Sequence, residues 1–330
     1  MIPWMKFRTT IAGFVVGGLA VAVVASAEPA KAPINVAATA TEQAVRLDIS
    51  AGPTIGGCRV FPSDSAWNAN VSSAPVHPSS GSIISYIQAH GTDNLHADFG
   101  ENPDYGIPFV VVPVDQPLVQ IVYDAYGDES DPGPFPIPLD APVEGGGDRH
   151  VIALRQGTCD LFELYGGRRQ GGGWLAASGA RFDLDTNALR PLGWTSADAA
   201  GLPILPGLVR YEEVAAGRVD HAIRVTFSVT RRGFVLPATH FASDVTDPSA
   251  PPMGLRLRLK SSYDISGLTG QARVIAEAMK TFGLIVADNG TNWFFQGAPN
   301  PGWDDDDLDQ LKDVPGSAFE VVDTGPVLTG

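Results

Sequence analysis

The sequence lacks most of the signatures that announce an activity. Gly145-Gly146-Gly147 and Gly171-Gly172-Gly173 are not followed by Lys-Ser/Thr and a helix, which excludes a phosphate loop, and the dinucleotide fingerprint is absent. Ser178 and Ser196 stand outside any Gly-x-Ser-x-Gly elbow. No acidic loop has the spacing of an EF-hand, and no His-x-His or His-x-x-x-His pair occurs. Positive charge is also scarce: 22 Lys and Arg stand against 37 Asp and Glu, a formal net charge of −15. A field of that sign repels phosphate backbones and anionic lipid, so neither nucleic acid nor a membrane surface is an expected partner.

Cysteine is nearly missing, with only Cys58 and Cys159 present. Neither sits in a nucleophile signature. In an oxidising compartment the even count implies one disulfide, closing a loop of about 100 residues. The N-terminus points to such a compartment. Lys6 and Arg8 precede the apolar residues 11–24, and Ala25-Ser26-Ala27 follows, which are the three parts of a cleavable secretory signal. The apolar run is shorter than the ~20 residues that span a bilayer as a helix. No later run is longer, and no Cys follows the cleavage site to accept a lipid. The expected organisation is a signal peptide at 1–27, a flexible Ala-, Pro- and Thr-rich lead-in at 28–55, and a single β-rich domain at 56–330. The mature protein is expected to be secreted or periplasmic and free of the membrane, and removing residues 1–27 leaves it a net charge of −17.

What is abundant is β-branched and aromatic residues in short runs bounded by Gly, Pro, Asn and Asp. Residues 107–114, 118–123, 150–154, 161–165, 173–177, 181–184, 222–229, 254–259, 284–288 and 293–296 read as strands. Asn289-Gly290 reads as a hairpin turn between the last two. Helical spacing appears at 82–89 and most clearly at 271–282, where Val274, Ile275, Ala278, Met279 and Phe282 share a face ahead of Gly283. Residues 195–200, 211–216 and 304–312 read as short helical turns. Strands do not alternate with helices, so the expected fold is mainly β: an antiparallel β-sandwich of jelly-roll type with one packed α-helix.

The densest polar stretch runs from Tyr123 to His150 and carries Asp128, Glu129, Asp131, Glu144 and Asp148 with Arg149 and His150 on a proline-stiffened loop. Two carboxyl groups are the minimum apparatus for hydrolysing a glycosidic bond, one protonated and one ionised. Crowded carboxylates raise one another's pKa, which supplies the protonated member. The expectation is an exported carbohydrate-active enzyme, a glycoside hydrolase acting on a polysaccharide or oligosaccharide. Glu129 and Glu144 form the facing pair, with Asp148 and His150 beside them and Asp128 and Arg149 holding substrate. Trp174 and Trp293 offer flat faces for sugar rings.

Other readings compete. Trp174, Trp293 or Trp303 as a stacking platform, without chemistry, describes a glycan-binding or cell-envelope protein. The acidic loop suits Ca²⁺ as well as catalysis. His150, His221 and His240, if gathered, suit a transition metal. Arg149, Arg181 and Arg210 around Tyr165 suit a lyase that grips a uronate carboxylate while a Tyr or His abstracts the neighbouring proton. The hydrolase reading needs no cofactor, and oligomeric state is not legible.

Overall fold

The computed structural model of the protein describes residues 52–329. The signal peptide expected at 1–27 and nearly all of the expected lead-in lie outside the described residues. Strand outweighs helix, 26% against 16%, so the fold is mainly β, as the β-branched runs require.

The described strands form sheets of six, four, three and two. The six-stranded sheet runs Phe319–Val322, Arg256–Leu259, Leu284–Asn289, Ile223–Phe227, Phe294–Gln296, His96–Asp98. The four-stranded sheet runs Ser178–Asp183, Asp160–Tyr165, Val151–Arg155, Phe109–Val112, and the three-stranded sheet Ile121–Tyr123, Gly173–Ala176, Arg168–Gln170. The smallest is a hairpin of Thr54–Ile55 with Cys58–Arg59, which begins inside the expected lead-in.

The expected antiparallel order forms only in part: seven of the eleven strand pairs among the described residues are antiparallel. Each of the three larger sheets is mixed: Ile223–Phe227 runs parallel to Leu284–Asn289, Phe294–Gln296 to His96–Asp98, Phe109–Val112 to Val151–Arg155, and Ile121–Tyr123 to Gly173–Ala176. A parallel pair needs a segment that carries the chain back to the starting edge. Residues 228–283 do this for the first pair. The hairpin expected at Asn289-Gly290 is corrected for the same reason. The strands on either side of that turn do not pair with each other; both pair with Ile223–Phe227, which lies between them.

The helix Gly270–Thr281 buries Ala272, Ile275, Ala276, Ala278 and Met279, so Ile275, Ala278 and Met279 of the expected stripe face the core, with Phe282 buried just beyond them and Val274 only half-buried. The Asp307 carboxylate accepts from the Gln271 and Ala272 N–H groups at its start. Gly283 ends it at φ 71°, where an added Cβ would run into the Leu257 carbonyl, so no other residue fits. Ser80–Ala89 and Tyr211–Ala215 are helical as expected, and 304–312 resolves into Asp305–Leu308 followed by the 3₁₀ turn Asp309–Asp313. Residues 195–200 are not a helical turn. Ser196 Oγ contacts the carbonyls of Asp198 at 2.9 Å and Leu202 at 2.6 Å and accepts from Asp198 N at 2.9 Å, a local network that competes with a helix.

The four-stranded sheet is buried on both faces, and its period of two divides its side chains between two cores. Ile152, Leu154, Leu161 and Ala180 join the large core, while Val151, Ala153, Phe162 and Leu164 join a small one with Phe135, Ile137 and Trp174. Glu163 is cross-strand partner to Ile152 and Ala180, so the same alternation sends its carboxyl toward the large core. A disulfide joins Cys58 to Cys159, at the start of this sheet's strand Asp160–Tyr165.

Candidate functional site

Strand pairing decides which residues meet. Val151 lies opposite Leu164 and Ser178 opposite Tyr165, so Asp148, Tyr165 and Ser178 emerge at one edge of the four-stranded sheet. The last residues of the strand Leu284–Asn289 bring Asp288 and Asn289 to the same place. Together with Tyr126, Glu129, residues 195–199, His240 and Ala242 they enclose a cavity of about 450 Å³.

Arg190 organises its acidic wall. This buried guanidinium donates to the Asp131 carboxylate at 2.5 Å, to the Glu129 carbonyl at 2.8 Å and to the Thr195 carbonyl at 2.7 Å, latching the acidic loop onto residue 195. The Thr195 N–H then donates to the Glu129 carboxylate at 3.1 Å. His240 Nδ1 lies 2.7 Å from the Ala199 carbonyl, which can only accept, so that nitrogen carries a proton. His240 Nε2 lies 3.9 Å from Glu129 Oε2.

The floor is a buried ion pair in which Arg224 donates to the two Asp198 oxygens at 2.7 and 3.1 Å. Asp288 stands over it. Burial, and then the negative charge of Asp198, push the Asp288 carboxyl up to about 7 against the pull of Arg224 and His150. One cavity therefore holds a carboxyl that keeps its proton far above the usual carboxylate range.

The residues singled out in the sequence divide. Glu129 and Asp148 line the cavity. Glu144 and His150 do not. Glu144 Oε2 accepts from His150 Nδ1 at 2.5 Å and from His150 N at 3.1 Å, while His150 Nε2 lies 3.0 Å from the Ala197 carbonyl. Burial opposes charge on His150, yet the hydrogen bond and charge of Glu144 outweigh it and raise the imidazole; the same contacts outweigh burial at Glu144 and lower it. The pair buttresses the 195–199 segment from behind, and the expected opposition of Glu129 to Glu144 does not form. Asp128 is exposed on the 3₁₀ turn Gly127–Glu129, and Arg149 Nε donates to the Gly167 carbonyl at 3.1 Å.

Trp174 and Trp293 are 1% and 0% exposed, so the stacking faces expected of them are covered by protein. They are large apolar rings between strands, and the core takes them. Tyr126, 50% exposed at the cavity, is the aromatic face open to a ligand. The histidines are not gathered either. His221 is held by Glu213 and the Ala222 carbonyl, apart from the partners of His150 and His240, and no group of three metal-ligating side chains occurs among the described residues. The arginines expected around a uronate serve their own neighbourhoods, Arg181 pairing with Asp160 and Arg210 with Glu213.

Sequence reasoning missed Asp288 and Asp198. Each had a local signal: a carboxylate ending the apolar run Leu284-Ile285-Val286-Ala287, and one set among alanines at 197–200. Glu163, wholly buried, was passed over inside a strand. A second cavity of about 270 Å³, more apolar, lies between Trp67, Phe182, Leu202 and Leu236 and contains no comparable acid–base set. No family model, no curated protein and no solved structure matches the chain.

Proposed function

We propose that the protein is an exported hydrolase that cleaves a glycosidic bond in the cavity between Tyr126 and Asp288. The observation that carries this reading is the meeting, in one polar cavity, of Asp288, a carboxyl kept protonated up to about 7, with Glu129, a carboxylate oriented by the Thr195 N–H. Two carboxyls in unlike surroundings are what acid and base roles in glycoside hydrolysis demand. The hydroxyls of Ser178 and Thr195, the Asn289 amide and the open face of Tyr126 suit a ring that is apolar on its faces and polar at its edges. Export is supported by the disulfide between Cys58 and Cys159.

In this reaction Asp288 gives its proton to the glycosidic oxygen as the bond to the anomeric carbon breaks. Glu129 takes a proton from the water whose oxygen bonds that carbon. One water is added across the linkage, and exchange with solvent restores both groups. His240 keeps the surroundings of Glu129 polar.

The test is release of reducing ends from a panel of polysaccharides by wild type, E129Q and D288N. Each substitution is expected to cost about 10²–10⁴ in rate, the usual share of a positioned acid or base, with melting temperature nearly unchanged. Full activity in either variant refutes the assignment, and no release from any glycan by the wild type refutes the reaction class.

A further inference from the structure

We propose that the cavity selects an amino sugar bearing a free, charged ammonium, and that Asp148 at its rim is the residue that selects it. This rests on the hydrolase reading above and names its substrate class.

The argument is an inventory of charge. Glu129, Asp148, Asp198 and Asp288 line the cavity together with His240, and no Lys or Arg does. Asp198 is answered by Arg224 beneath it. Glu129 and Asp288 are needed for the reaction. Asp148 remains. It is exposed, and its carboxylate has no hydrogen-bond or ion-pair partner among the described residues. It stands close to Tyr165, whose hydroxyl is pushed up first by burial and then by the charge of Asp148.

The cations nearby are turned elsewhere. Arg149, the next residue, has φ 52° and sends its Nε to the Gly167 carbonyl. Arg190 is engaged by Asp131 and two carbonyls, and Arg168 pairs with Asp124. An anionic sugar entering here meets four carboxyl groups and, apart from the His240 imidazole beside Glu129, no basic side chain, in a chain whose net charge is −15. A neutral or N-acetylated sugar leaves Asp148 to water. An ammonium brings three donors to a carboxylate that lacks them, while its ring lies against Tyr126.

The experiment compares three oligosaccharides at pH 6: a glucosamine tetramer, its fully N-acetylated counterpart and a galacturonate tetramer. Binding is measured by calorimetry and cleavage by reducing ends, on wild type and D148N, at low and high salt. The glucosamine tetramer is expected to bind at least about tenfold more tightly than the acetylated one, with the preference shrinking in D148N and in high salt. Equal or tighter binding of the acetylated or galacturonate oligomer, or an unchanged preference in D148N, overturns the inference. The two readings fail separately. Preference without cleavage sinks the hydrolase and keeps the ligand class, cleavage without preference does the reverse, and neither binding nor cleavage sinks both.

Discussion

Glu163 shows what a single residue's surroundings do. Its wholly buried carboxyl accepts from Ile204 N at 2.9 and 3.0 Å and from Leu205 N at 2.9 Å. Burial still dominates and pushes it up to about 7, helped by the charge of Asp198. A carboxyl whose folded pKa exceeds its unfolded value holds in the native state a proton that the unfolded chain has released, so stability falls as pH rises from the ordinary carboxylate range to about 7 and is flat above. E163Q has no such proton to lose. Its melting-temperature deficit against wild type is therefore expected to shrink by several degrees between pH 5 and pH 8, as calorimetry can show. A deficit of the same size at both pH values would contradict the burial argument.

The 195–199 segment carries the same logic to a short element. Arg190 takes the Thr195 carbonyl, His150 the Ala197 carbonyl and His240 the Ala199 carbonyl, while Arg224 holds the Asp198 side chain. Thr195 and Ser196 resemble a helix cap in sequence, which is why a helical turn was expected. Two of the carbonyls a helix would use internally are instead taken by His150 and His240, 47 and 41 residues away, which no local pattern encodes, while Arg190 reaches the Thr195 carbonyl from only five residues before it. The strands were legible for the opposite reason: each is a local apolar run between breakers. Their parallel neighbours were not, because pairing order depends on the path between strands. D198N leaves Arg224 buried beside a neutral amide, and removing one partner of a buried pair costs about 3–5 kcal/mol. Replacing both, as D198N with R224M, is expected to cost clearly less. Urea unfolding of the single and double variants decides this, and a single variant as stable as wild type would show that the pair contributes nothing.

At the scale of the whole molecule, the cavity draws on segments spread from Tyr126 to Asn289. The acidic loop was visible in sequence because its members are neighbours there, and Glu129 and Asp148 do reach the cavity. Glu144 was preferred to Asp288 because nearness along the chain stood in for nearness in space. The disulfide also acts at this scale. It joins residues 101 apart and anchors the start of the strand Asp160–Tyr165, whose far end, at Tyr165, lines the cavity about 20 Å away by strand rise. Closing so long a loop restricts the unfolded chain and contributes about 4–5 kcal/mol in the chain-entropy model. The double replacement C58A/C159A is expected to lose about that much in urea unfolding, while ligand binding in the cavity persists below the lowered melting temperature. The bond acts on the unfolded ensemble and lies at the opposite end of the sheet from the site. A loss below about 1 kcal/mol would mean that the unfolded chain is already compact without the bond. Loss of binding in a variant that remains folded would mean that the sheet transmits the bond's constraint to the cavity.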